Sequence, residues 1–219
     1  MLKKLPQNSN KILILGCGGH AKVITEVAKS QGFCDFHYQD LNYKNEKFLG
    51  SNILNNEIFN YSDYFFVAIG DNFTREKITL EFQLKNPNAI AATLVHPSSY
   101  ISENCSIGNG SVVMPLSVIN SFTKIGKGVI VNTRSSLDHD NNIMDFASIA
   151  PGVTTGGDVK IGERTAISIG ATIKNNIEIG SDSIIGACSY LNKDIGDNII
   201  AYGNPAKFVR KRETGEKYL

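Results

Sequence analysis

His139 stands in the run Leu137-Asp138-His139-Asp140-Asn141-Asn142 and is the side chain best suited to moving a proton. An imidazole titrates near neutral pH, so its neutral form takes a proton from an attacking amine or hydroxyl and later returns it. A positioned base of this kind contributes roughly 10²- to 10⁴-fold in rate. Of the flanking carboxylates, Asp140 is the candidate orienting acid, because a carboxylate beside an imidazole fixes its tautomer and stabilises the protonated ring. His139 follows the aliphatic Leu137 by two places and has polar neighbours, so it is expected outside the core.

A second concentration of chemistry lies near the N-terminus, in the loop Gly16-Cys17-Gly18-Gly19-His20. Glycines between a strand and a helix let a phosphate approach the backbone amides at the helix start, where the dipole favours anions. The apolar run Lys11 to Leu15 supplies the strand and the amphipathic stretch Ala21 to Ser30 the helix. Further strands are read at Phe33 to Gln39, ending at Asp40, and at Tyr64 to Ile69, ending at Gly70-Asp71-Asn72 before a helical run from Arg75 to Lys85. Strands alternating with helices predict a small Rossmann-like parallel sheet. Its ligand edge would carry Gly18, Gly19, His20, Asp40, Gly70 and Asn72, with a nucleotide as the natural occupant.

Past His96-Pro97 the pattern changes. Stepping by six from Ile101 gives Ile107, Val113, Ile119, Ile125, Val131, Leu137, Ile143 and Ile149, then continues from Ile161 to Leu191, with Thr155 alone breaking the aliphatic series. A six-residue period fits neither a helix nor a flat sheet; it fits a triangular solenoid in which each hexad gives one short strand and one corner. Residues eighteen apart then stack, which sets Gly157 directly above His139. The expected division is a nucleotide-binding α/β domain over 1–96, a solenoid over 97–196, and a tail, 197–219, packed on it.

Lys plus Arg number 22 against 21 Asp plus Glu, a balance that leaves no field to hold nucleic acid. The opening residues lack an uninterrupted apolar stretch of signal-peptide length and no later segment reaches membrane-spanning length, so a cytoplasmic protein is expected. Cys17, Cys34, Cys105 and Cys188 are scattered, without the paired spacing of a zinc site, and are read as reduced and mostly buried. No metal is expected.

The hexad pattern resembles that of the hexapeptide-repeat acyltransferases, as does the ending Tyr202-Gly203-Asn204-Pro205-Ala206-Lys207. The glycine loop and Val67-Ala68-Ile69-Gly70-Asp71-Asn72 are similar to those of the branch containing bacterial nucleotide-aminosugar N-acetyltransferases and sialic-acid O-acetyltransferase-like proteins. The resemblance implies a left-handed parallel β-helix, a homotrimer with sites between subunits, acetyl-CoA as acyl donor and an amino sugar carried on UDP, dTDP or GDP in glycan or lipopolysaccharide synthesis.

Carried over by position, His139 is the general base, with Asn132 holding the base or the sugar amine. Gly157 offers an oxyanion donor, while Ile169 and Ala187 line the acetyl-CoA groove. Lys207, Arg210, Lys211 and Arg212 are candidates to meet CoA phosphates. Relatives often have a second histidine where this chain has Ser148, which leaves a hydroxyl near the acetyl group. Zinc-dependent enzymes on this fold need three histidine ligands, whereas His139 is the one histidine of the repeat. Two alternatives stand beside N-acetylation: sialic-acid-type sugar O-acetylation, and a non-catalytic nucleotide-sugar-binding scaffold.

Overall fold

The computed structural model describes residues 10–54 and 63–218. Residues 1–9, most of the opening stretch read above for a signal peptide, lie outside them. Among the described residues, no helix is long and apolar enough to cross a membrane.

The first domain is a parallel sheet of order β2-β1-β5-β6, made by β1 (Lys11–Leu15), β2 (Asp35–Gln39), β5 (Tyr64–Val67) and β6 (Ile90–Ala91). Strand β1 is central, with Ile12, Leu13 and Ile14 fully buried, which is why its sequence is apolar without alternation. Helix α1 (Gly19–Ser30) buries Ala21, Ile24, Val27 and Ala28, one face at helical spacing. A small antiparallel pair, β3 (Lys47–Phe48) and β4 (Ser51–Asn52), precedes β5. Helix α2 (Asn72–Lys85) begins three residues before the expected Arg75, because Asp71 caps it: its Oδ1 accepts from Thr74 N at 2.9 Å and Thr74 Oγ1 at 2.6 Å.

The second domain is a left-handed parallel β-helix of two-residue strands in three sheets. Aliphatic residues at the six-residue step fill the prism, with Val113, Ile119, Leu137, Ile149, Ile161 and Ile185 at 0% exposure. Two boundaries move. The pair Leu94–Val95 already joins Val112–Val113 in parallel, so the solenoid starts ahead of residue 97; Val95 is one step of six below Ile101. Beyond 196, Ile199–Gly203 extends the same sheet and turns back antiparallel as Ala206–Lys211, so this part of the tail belongs to a sheet rather than lying on one.

At each corner, the third residue after the aliphatic position takes the left-handed conformation, from Gly110 and Leu116 to Asp182 and Cys188. Glycine fills few of these positions, the others being Leu, Phe, Arg, Asp, Asn or Cys. Of the cysteines, Cys17 is buried while Cys34 and Cys188 are exposed, so the expectation of mostly buried thiols holds for Cys17 alone among these three.

Arg75 joins the two domains. It is 1% exposed, and its guanidinium donates to the carbonyls of Gly128 (2.8 Å), Phe146 (2.8 Å), Gly70 (2.8 Å) and Ile69 (3.1 Å) and to Asn72 Oδ1 (2.8 Å). Burial pulls its pKa down to about 10, which still leaves it charged at neutral pH. Arg164 adds a second tie, reaching Glu76 on α2 at 3.1 Å and Asp182 on the next coil at 2.8 Å.

Candidate active site

The corner that carries His139 follows the strand Ser136–Leu137 and is locked from above and below. Asp140 N donates to Ser121 O (3.0 Å) in the preceding coil, and Asp158 N donates to His139 O (2.9 Å) from the following one. Asp138 Oδ1 accepts His139 N at 2.9 Å. Inside the prism, Asn141 Nδ2 donates to Asp138 O (2.6 Å), Thr155 Oγ1 (3.1 Å) and Gly156 O (3.1 Å), while its Oδ1 accepts from Val159 N (3.0 Å). The break in the aliphatic ladder at Thr155 thus has a purpose. A satisfied buried polar cluster fixes the corner from within.

His139 Nδ1 lies 2.8 Å from Asp140 Oδ2, as the sequence suggested. With Nδ1–H donating to the carboxylate, Nε2 keeps a lone pair for a proton. The hydrogen bond to Asp140, aided by the charges of Asp138, Asp140 and Asp158, raises the imidazole pKa above 6.5. The base is stronger for it, but its neutral form needs a higher pH.

Gly157, on the following coil, lies close against the ring. A Cβ built there would fall 2.4 Å from His139 Cε1, 2.5 Å from Nε2 and 2.9 Å from Nδ1. The glycine is therefore required by the close approach of the imidazole. Its carbonyl accepts Asn176 N (3.0 Å), and its N–H donates to no protein group among the described residues. Gly157→Ala is expected to tilt the exposed ring away from its bond to Asp140, lowering kcat by roughly 10²-fold, as small misplacements of reacting groups do. The thermal midpoint should hardly move, since the displaced side chain is free to swing into solvent. A kcat within twofold of wild type would remove this role for Gly157.

The other solenoid candidates are divided among corners. Asn132 lies on the corner preceding that of His139, and its Oδ1 accepts Thr133 N at 2.8 Å, so one copy of the chain does not bring the two residues together. Ile169, 59% exposed, and Ala187 stack on that preceding corner, and neither N–H donates to a protein group among the described residues. Ser148 faces the first domain; its Oγ lies 3.5 Å from Tyr218 Oη. Two of the basic residues read for CoA phosphates are engaged internally: Arg210 pairs with Glu216 at 2.5 Å, and Arg212 is buried and donates to Asp182 O at 2.9 Å.

At the edge of the first domain, the sharp turn is made by Gly16, at φ 109°, where a Cβ would meet Ile69 Cδ1 at 2.9 Å. Gly18 and Gly19 are exposed, and a Cβ at either would meet nothing within 4 Å. The protein's own packing gives no reason for glycine there, whereas an approaching ligand would. Asp40 braces this loop, accepting Cys17 N and Asn42 N, each at 2.9 Å. His20, beside Arg75, has its pKa lowered to about 4, by burial first and then by that charge, and stays neutral.

Asn72 is a correction. It is 1% exposed and donates to Arg164 O (2.9 Å) and Thr165 O (3.2 Å) while accepting from Arg75, so it clamps the domains instead of meeting substrate. Sequence reasoning passed over Arg75, Asn141 and Tyr218. The only advance signal for any of them was Thr155, which marked the place where a polar side chain enters the prism. Among the described residues, no group of three or more His, Cys, Asp or Glu could hold a metal ion.

A prism of hexads with a carboxylate-held imidazole on a corner defines a transferase built on hexapeptide repeats. Residues 11–82 match the PglD N-terminal domain and residues 158–193 the bacterial transferase hexapeptide (six repeats). The acetyltransferase domain of PglB from Neisseria gonorrhoeae is 30% identical, with a TM-score of 0.86 over 92% of this chain and 100% of that one. Perosamine N-acetyltransferase from Caulobacter crescentus, solved with CoA and GDP-perosamine in a form with one histidine replaced by asparagine, is 28% identical. Its TM-score is 0.85 over 92% of this chain and 97% of that one. WeeI from Acinetobacter baumannii, at 24% identity and a TM-score of 0.84 over 90% of this chain and 99% of that one, shares the fold. The chain belongs to the hexapeptide-repeat sugar acyltransferases.

Proposed function

We propose that this protein is an acetyl-CoA-dependent N-acetyltransferase acting on the amino group of a nucleotide-linked 4-amino-4,6-dideoxy sugar, with His139 as general base. The observation that carries the reading is the imidazole held 2.8 Å from Asp140 and close against Gly157, on a solenoid fused to a domain with an open glycine loop. Acetyl-CoA supplies an activated acyl carbon. His139 Nε2 takes the proton of the attacking amine while Asp140 stabilises the imidazolium, and the Gly157 N–H is available to the charge developing on the acyl oxygen. Gly18 and Gly19 at the start of α1 suit the diphosphate, and Asp40 the nucleoside.

The division of candidates between corners supports a trimer. His139 and Gly157 flank one side of the sheet through Ser136–Leu137, and Asn132, Ile169 and Ala187 flank the other. The outward residues of that sheet, Tyr100, Val118, Ser136, Thr154, Thr172 and Tyr190, are uncharged. Three copies packed around this face would join one chain's His139 corner to its neighbour's Ile169 corner, where exposed amides suit a pantetheine arm. The relatives solved with acetyl coenzyme A or with CoA and GDP-perosamine support the same pair of substrates.

The test is thiol release from acetyl-CoA with GDP-, UDP- and dTDP-linked 4-amino-4,6-dideoxy sugars and with their 4-hydroxy counterparts. Turnover is expected with one amino sugar and not with its hydroxy analogue. Acceptance of the hydroxy sugars would instead establish O-acetylation, and no release with any acceptor would leave a binding scaffold. Sedimentation as a monomer would count against the shared site.

A further inference from the structure

The C-terminal segment beyond the last strand is built into place. Arg212 is buried, donates to Asp182 O at 2.9 Å and to Glu216 O, and lies over the Tyr218 ring, 5.3 Å from its centroid. Arg210 holds Glu216 through two hydrogen bonds, and Gly215 packs against Phe73 on α2 so closely that a Cβ would fall 3.3 Å from its ring. The result is a strap from the end of the solenoid to the first domain, ending with the Tyr218 hydroxyl between Ser148 Oγ (3.5 Å) and Gly70 O (3.4 Å).

Both distances exceed the usual 2.7–2.8 Å of a hydroxyl hydrogen bond, and the Asn72 backbone also bonds the phenol oxygen, so the hydroxyl is held in place by long, weak contacts. Its surroundings have bonding capacity to spare. His20 Nε2 and Asp71 Oδ2 are buried and have no hydrogen-bond partner among the described residues. The Gly70 carbonyl accepts from both the Tyr218 hydroxyl and Arg75 Nη1, Asp71 follows Gly70 directly, and His20 lies beside Arg75, so the four groups gather round one point of the domain junction. Arg75 itself is satisfied by carbonyls. Unpaired polar atoms in a buried setting are costly unless something arrives to bond them.

We propose that Tyr218, with Ser148, His20 and Asp71, forms a subsite for the hydroxyl groups of the acceptor sugar, and that Tyr218 contributes to choosing which sugar is accepted. The proposal rests on the nucleotide-sugar reading above. A neutral imidazole, a carboxylate oxygen and two hydroxyls suit sugar hydroxyls; the carboxylate of Asp71 would repel a phosphate, which the amides at the start of α1 take instead.

Tyr218→Phe removes the hydroxyl and keeps the ring that Arg212 covers. It is expected to weaken binding of the accepted nucleotide amino sugar roughly five- to tenfold, the effect of one hydrogen bond. Binding of the bare nucleoside diphosphate, and the KM for acetyl-CoA, should stay within twofold. Titration calorimetry of wild type, Tyr218→Phe and Ser148→Ala with both ligands separates the outcomes. Equal weakening toward the sugar nucleotide and the bare diphosphate would reduce the strap to a structural support. No change toward either would overturn the subsite while leaving the functional reading intact. A wild-type protein that binds none of the GDP-, UDP- or dTDP-linked sugars would refute that reading, and the subsite with it.

Discussion

His139→Asn should lower kcat by roughly 10²- to 10⁴-fold, while the KM for both substrates stays near wild type. Asparagine keeps a polar group on the same corner but cannot take a proton, and the corner itself is fixed by Asn141, Thr155 and the backbone bonds to Ser121 and Asp158. Loss of rate without loss of folding is therefore the expected signature. The pH profile carries a second check. Hydrogen bonding to Asp140 raises the His139 pKa, so the imidazole stays protonated, and inactive as a base, to a higher pH than an ordinary histidine. The rate should climb through a midpoint above 6.5, and Asp140→Asn should move that midpoint down. Retention of more than a tenth of wild-type kcat in His139→Asn would require another base.

The largest effect on stability is expected at Arg75. Arg75→Met keeps an unbranched side chain of similar length but leaves the carbonyls of Gly128, Phe146 and Ile69 facing a buried space without their donor. Each orphaned group costs about 1–3 kcal/mol, and the loss should total about 3–5 kcal/mol. That corresponds to a fall in the thermal midpoint on the order of 10 °C for a chain of this size. Arg75→Lys should recover little of it, because an ammonium cannot span carbonyls contributed by both domains. The solenoid should remain folded, so a scanning calorimetry trace with the early transition confined to the first domain is the expected form. A midpoint within a degree or two of wild type would mean that the domains are held by apolar packing alone.

The solenoid was legible because a period of six leaves an aliphatic residue at every step, and nothing else in the chain competes with that signal. The glycine loop and the pairing of His139 with Asp140 were legible because each is local: the chemistry lies within five adjacent residues. Asn72 misled for the opposite reason. A strand end facing the ligand edge of a sheet is a rule about one domain, and here a second domain arrives to take the side chain. Arg75 carries no local mark at all, since it is an arginine on the first turn of a helix whose partners are carbonyls 53 and 71 residues away. Tyr218 reaches Gly70 across 148 residues, a contact no periodicity announces.

The stacked corners also make the solenoid a ruler. Neighbouring coils stand about 4.7–4.9 Å apart, so any position along the prism is indexed in whole steps of that length. The first domain is pinned to fixed graduations, at Gly128, Phe146 and Arg164, and His139 occupies the corner between the first two in the chain. The gap between the glycine loop and His139 is thus not continuously adjustable. Moving the pinning contacts together by one coil of eighteen residues along the prism would change it by one graduation, with every corner still in register. An acceptor longer or shorter by about one sugar ring is the kind of difference such a step would accommodate.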